Sequence, residues 1–249
     1  MDQAPRFEHQ NWLNIVYASQ FMRFLSAKGF PGQSLLDIGA HKARWSQSFK
    51  DVFPDAHVFM IEPLEEMRPF LDKFCQSHSN SKYILAGAGP QPGHMEFTIW
   101  PGLSGSSFVP ERGHSFYDTY AKRIVPIVTI DDLVAQQGLA VPDVTKLDVQ
   151  GFELEVLRGA STIMGKTELF FLEVSFFNPL GPKMPLFHEV VKFMHDRGYV
   201  PYDITGFYRR RKDHALAQCD MVFVREDSHL RDFTGLVREF AWDYTNFKG

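Results

Sequence analysis

Cysteine is scarce: Cys75 and Cys219 are the two in 249 residues, far apart and without metal-ligand spacing. That argues against a disulfide framework or a thiolate zinc site and fits a reducing compartment. A surplus of positive charge is also missing. With 26 Lys and Arg against 30 Asp and Glu, the net charge is −4 and the pI about 6.2. Proteins that bind nucleic acid usually carry a clustered basic face, so no nucleic-acid partner is expected. No run approaches the roughly eighteen apolar residues of a membrane span, and the first ten residues, MDQAPRFEHQ, have no apolar signal core. A soluble, cytoplasmic protein without a membrane span is the expectation. What is present is 44% hydrophobic content, with 24 Phe, which suits one α/β domain with a sizeable core.

Glycine is sparing at the point where a dinucleotide fold would need it. Ser34-Leu35-Leu36-Asp37-Ile38-Gly39-Ala40-His41 reads as an inner strand of a parallel sheet delivering a loop to a ligand at its carboxyl end. A GxGxxG loop would hold a pyrophosphate, but this loop has Gly39 alone and an acid, Asp37, already on the strand. About twenty residues on, Val58-Phe59-Met60-Ile61-Glu62-Pro63 is a second apolar run ending in an acid. Glu62 is placed to accept hydrogen bonds from both hydroxyls of a ribose. An acid on each of the first two strands resembles the S-adenosylmethionine site of class I methyltransferases.

Further along, the pattern alternates between strand and helix. Trp12, Ile15, Ala18, Met22 and Leu25 form an amphipathic stripe over Asn11–Lys28, closed by Gly29. The stripe predicts a helix covering the sheet, a dimerisation helix and hence a homodimer being the alternative. Trp45, Phe49 and Val52 mark the helix after the first strand. Its start, near His41 and Lys42, would offer free backbone N–H groups to a carboxylate. Pro63 sits at a first-turn position of the next helix. Tyr83 to Gly89 reads as a third strand running into Gly87 and Ala88, a surface flat enough for adenine. Gly93–Val128 reads as an inserted hairpin and loop, with residues 101–120 as a lid or substrate loop. The Arg209–Lys212 run is a solvated loop or a contact for an anionic substrate group.

Six elements then agree in order and spacing with one family: DIGAHKARWS, the strand ending IEP, VTIDDL, KLDVQGFELEVLRGA, FLEVSF and QCDMVFV. Together they resemble the FkbM family of S-adenosylmethionine-dependent methyltransferases from about Leu35 to Val224. The chain departs from the family pattern at Ala43, usually glycine, and at His41, often asparagine. The resemblance implies a doubly wound, Rossmann-like α/β fold with a seven-stranded, mostly parallel sheet, an N-terminal helix and an inserted hairpin and loop. Residues 1–30 would be a helical extension, 31–226 the methyltransferase domain with its insertion at about 93–128, and 227–249 a tail packing on it. The final strands, Tyr199–Thr205 and Cys219–Val224, would form a hairpin with one strand antiparallel to the sheet.

The expected cofactor contacts are Asp37, Gly39, Ala40, His41, Glu62, Pro63, Gly87, Ala88 and Asp148. Lys146 and Asp148 lie two apart on a strand and so share a face. In class I enzymes that strand tip faces the methyl group, and Glu173 ends the next strand. Asp148, Glu173 and Lys146 are therefore the catalytic candidates. The two carboxylates would act as general base for a hydroxyl or, if a metal is present, hold a divalent cation such as magnesium. The implied reaction is O-methylation of a sugar, glycan or other small natural product. A nicotinamide-dependent oxidoreductase and a non-catalytic S-adenosylmethionine-binding module are the alternatives.

Overall fold

The computed structural model describes residues 7–109 and 117–232. Helix α1 (Phe7–Ala27) leads into β1 (Ser34–Ile38), α2 (Arg44–Lys50), β2 (His57–Glu62), α3 (Arg68–Ser77) and β3 (Ser81–Leu85). A short strand β4 (Gly87–Ala88) and the hairpin of β5 (Gly93–Ile99) and β6 (Ala121–Val128) follow. The chain continues through α4 (Ile130–Gln137), β7 (Val144–Leu147), α5 (Glu153–Arg158), β8 (Leu169–Ser175) and α6 (Phe187–His195). The last strands of the described residues are β9 (Tyr199–Arg209) and β10 (Leu216–Arg225). The main sheet has seven strands in the order β3-β2-β1-β7-β8-β10-β9, and a second sheet has the order β4-β6-β5.

The first five strands of the main sheet are parallel, and β10 is antiparallel to both its neighbours. The parallel strands are apolar on both faces because both are covered. One core places Ala18, Met22 and Leu25 of α1 and Phe49 of α2 against Leu35, Val58 and Phe171. The other places Leu133, Val156 and Met194 against Leu36, Leu147 and Leu172. The stripe of α1 thus faces the sheet, and Phe21 meets Phe171 and Tyr202 edge-on at 5.8 and 6.0 Å. The Trp12 and Ile15 side chains lie outside the described residues. Among the described residues no helix is long and apolar enough to cross a membrane.

Two readings are corrected, and one segment is described in part. The third strand stops at Leu85; Gly87 and Ala88 leave it and pair with Ile127 and Val128 in the second sheet. Pro63 precedes a 3-10 turn at Glu65–Met67, and the helix itself begins at Arg68. Residues 101–109 of the expected lid fold back on β5 through paired Thr98 and Ser107. Residues 110–116 lie outside the described residues. Of the C-terminal tail, Ser228 touches Glu168 and the Tyr202 hydroxyl donates to the Leu230 carbonyl at 3.2 Å; residues 233–249 lie outside the described set.

Candidate active site

Register brings the charged residues together. Asp37 pairs with Met60 on one side and Lys146 on the other, Lys146 with Phe171, and Glu173 with Asp220. Partners in register point to the same face, and so do residues two apart on one strand. Asp37, Glu62, Lys146, Asp148, Glu173 and Asp220 therefore line one face at one edge of the sheet.

The loop after β1 is built against β2. The Gly39 and Ala40 amides donate to the Ile61 carbonyl at 2.9 and 3.2 Å. Gly39 has φ +77°, and a Cβ there would lie 1.9 Å from the Asp148 carbonyl oxygen, so only glycine lets the two strand ends meet. Glu62 braces the same loop: its carboxylate accepts from His41 N at 2.7 Å and Leu64 N at 2.9 Å. The His41 N–H, expected to stand free for a carboxylate, is thus used by the protein itself. Burial pushes the Glu62 carboxyl up to about 7, against the lowering effect of those two amides. His41 and Ala43 both hold positive φ, 47° and 55°, and burial lowers the His41 imidazole below its usual range.

Asp37 is fully buried and accepts from the Ser46 hydroxyl at 2.6 Å. Its second oxygen lies 3.4 Å from the Lys146 ammonium, an ion pair rather than a well-directed hydrogen bond. Lys146 donates to the Gly39 carbonyl at 2.9 Å and lies 3.5 Å from Asp148. Burial disfavours its charge, but Asp37 and Asp148 outweigh that and raise it above the ordinary lysine range.

On the far side of Lys146 is a group of acids. The Gln150 amide donates to Asp148 at 2.6 Å and to Glu173 at 2.9 Å, bridging the two carboxyls. Burial, with Asp148 and Asp220 nearby, raises Glu173 well above the usual carboxyl range. Asp220 is pushed up to about 7 by burial and then by Asp148. Glu153, buried at the start of α5, accepts from the Val149 and Gly151 amides and is raised to about 7 by burial. Among the described residues no three His, Cys, Asp or Glu side chains are grouped to hold a metal ion; Gln150 occupies the position between Asp148 and Glu173.

The expected residues fall into two sets. Asp37, Gly39, Ala40, His41, Glu62, Lys146, Asp148 and Glu173 gather at this edge, with Pro63 beside Glu62. Gly87 and Ala88 lie in the second sheet, and the Phe108 ring and Ile127 side chain cover the Gly87 Cα, where a Cβ would be 2.4 and 2.8 Å from them. Sequence reasoning passed over Gln150, Glu153, Ser46 and Asp220. Asp220 carried a signal, a lone acid in the apolar run Cys219–Val224.

A strand order of 3-2-1-7-8-10-9 with one reversed strand, and acids closing the first two strands at the carboxyl edge, defines the class I methyltransferase fold. Solved structures agree: magnesium protoporphyrin IX methyltransferase from Synechocystis, determined with S-adenosylmethionine bound, superposes with a TM-score of 0.51 at 13% identity, covering 90% of this chain and 86% of that one. Residues 37–201 match the methyltransferase FkbM domain, and the chain belongs to that family. A curated relative, methyltransferase sdnD of Sordaria araneosa, is 28% identical over 153 residues, 50% of this chain and 59% of the relative. This chain thus spans somewhat over half of that relative's length.

Proposed function

We propose that the protein transfers a methyl group from S-adenosylmethionine to a hydroxyl oxygen of a sugar, glycan or other small molecule. The residues present fit the cofactor. Each Glu62 oxygen accepts one backbone amide and keeps a lone pair for a ribose hydroxyl. In the same site Asp37 Oδ1 and His41 Nε2 are buried polar atoms without a hydrogen-bond partner. When bound, S-adenosylmethionine supplies an electrophilic sulfonium methyl.

The observation that carries the choice of oxygen is the meeting of Asp148, Glu173 and Asp220 beside the cofactor loop. A hydroxyl is a poor nucleophile until its proton has somewhere to go, and a base works best with a pKa near the working pH. Asp220, held at about 7, meets that requirement. Asp148, whose side chain is 41% exposed, is open to an acceptor. With the cofactor bound, the acceptor hydroxyl would give its proton to the Asp220 carboxylate as the new carbon–oxygen bond replaces the sulfur–methyl bond and S-adenosylhomocysteine leaves. Lys146 fixes Asp37 and Asp148 by charge, and the enclosing sheet edge excludes water and positions the reactants. A divalent cation is not required by this scheme.

The first test is thermal-shift titration with S-adenosylhomocysteine beside NAD. Stabilisation by S-adenosylhomocysteine alone is expected; stabilisation by NAD alone would overturn the proposal in favour of an oxidoreductase. The second is transfer of labelled methyl from S-adenosylmethionine to a panel of hydroxylated sugars and natural products, each run beside its amine analogue. Tight binding with no transfer across the panel would identify a binding module, and transfer to amines alone would reject the oxygen assignment.

A further inference from the structure

The bridge between Asp148 and Glu173 is held from an unexpected direction. Gln150 has φ +53°, a left-handed conformation that is unfavourable for a residue with a side chain. Three contacts keep its backbone there. The Glu153 carboxyl takes the amides on either side, Val149 N at 3.2 Å and Gly151 N at 3.1 Å. The third comes from the inserted segment: the Ser107 hydroxyl donates to the Gln150 carbonyl at 2.7 Å while accepting from Val109 N at 3.0 Å. Ser107 is 1% exposed and is itself fixed on β5, exchanging backbone hydrogen bonds with Thr98 at 3.0 and 3.1 Å. The loop after β5, bridged back onto that strand at Thr98, therefore ends through one hydroxyl on the residue that spaces two acids of the main sheet.

We propose that Gln150 is a positioning residue that sets the separation and orientation of Asp148 and Glu173, and that Ser107 latches it from the inserted segment. The inference rests on the acceptor-side reading of those two acids given above. Both amide protons of Gln150 go to carboxyl oxygens, so the side chain has no other donor and no freedom to turn while the bridge is made. Without Ser107 the backbone of residue 150 can relax out of the left-handed region, and the amide is carried away from at least one acid. The insertion thus acts on the reaction centre without touching it.

The test needs neither cofactor nor acceptor. In a protein labelled with 15N at glutamine side chains, the Gln150 amide signal is identified by its loss in Gln150→Glu, and its hydrogen exchange is followed. Ser107→Ala is expected to speed that exchange by about tenfold or more, the effect of losing one buried hydrogen bond. Ser107→Thr, which keeps the hydroxyl, is expected to restore the slow rate. Should Ser107→Ala fail to fold, Ser107→Cys keeps the volume with a weak donor and is expected to speed exchange as well. Unchanged exchange in a folded Ala or Cys variant would overturn the latch. So would a Thr variant exchanging as fast as the Ala variant. Calorimetric titration of the wild type with S-adenosylhomocysteine tests the underlying methyltransferase reading separately. Absence of binding in the wild type would count against the methyltransferase reading and leave the latch standing.

Discussion

Replacing Glu62 by glutamine tests the placement of the cofactor most directly. The carboxylate accepts from His41 N and Leu64 N at 2.7 and 2.9 Å and, by the proposal, from two ribose hydroxyls. Glutamine keeps one acceptor oxygen and presents an NH2 group where the other was. One backbone amide then faces a donor, and one ribose hydroxyl loses its acceptor. The lost bond is of the charge-assisted kind, worth about 1.5–3 kcal/mol, so affinity for S-adenosylhomocysteine should fall by roughly 10- to 150-fold. Protein stability should fall by about 1–3 kcal/mol from the unsatisfied amide. Wild-type affinity should also depend on pH. Glu62 has its carboxyl at about 7; the ionised form accepts at both oxygens with full charge and the protonated form turns one of them into a donor, so binding strengthens as pH rises from 6 to 8. At the lower end it releases a proton. That pH dependence should vanish in Glu62→Gln. Calorimetry at several pH values in buffers of different ionisation heat measures affinity and proton release together. Unchanged affinity in the folded variant would mean that the ribose is held elsewhere.

Three further outcomes follow from the same geometry. Gly39→Ala puts a methyl group 1.9 Å from the Asp148 carbonyl at φ +77°; it should cost more than about 2 kcal/mol by thermal melts and abolish S-adenosylhomocysteine binding, whereas a wild-type-like melt would reject the close approach. Ala43→Gly relieves φ +55°, a gain of about 1–2 kcal/mol. It loses a buried methyl of about 0.8 kcal/mol and frees the unfolded chain by about 0.4–1 kcal/mol, so urea titration should find a net change within about 1 kcal/mol. Glu153 titrates at about 7 in the folded protein against about 4.3 when unfolded. The native state therefore binds the extra proton between those values, and stability present at pH 4.5 is lost as pH rises through 7. The loss is on the order of 3 kcal/mol from this one buried group, and Glu153→Gln should flatten the curve between pH 5 and 8.

Much of the fold was legible because the parallel strands are short apolar runs that stop at an acid. Asp37, Glu62, Lys146, Asp148 and Glu173 could be placed at strand ends by that pattern alone, and register then put them on one face. Helix α4 carries equally local signals, with the Thr129 side chain accepting from the Asp132 amide and Gly138 in a left-handed turn at its end. Other features depend on backbone angles that a residue's identity does not reveal. Gln150 bridges two acids only because of its positive φ, and Ser107 matters only because a segment without periodicity folds back on β5. Gly87 and Ala88 looked like the end of a strand, yet Ala86, whose amide donates to the Glu62 carbonyl, is the last residue bonded to β2. Asp220 was hidden by the register of a reversed strand, which aligns it with Glu173 from 47 residues away in sequence.

The position of β10 has a consequence for synthesis. The loop braced by Glu62 comes from residues 37–62, one short stretch, whereas the acid group around Gln150 is incomplete until Asp220 has emerged and reversed beside β8. Until then β8, whose seven residues LFFLEVS are buried at all positions but one in the finished fold, presents a bare edge with unpaired backbone groups. Such an edge templates association with other chains. A nascent or truncated chain ending before Leu216 would therefore carry a completed Asp37–Glu62 loop beside a strand prone to aggregation, and β10 protects the molecule as well as completing the acid group.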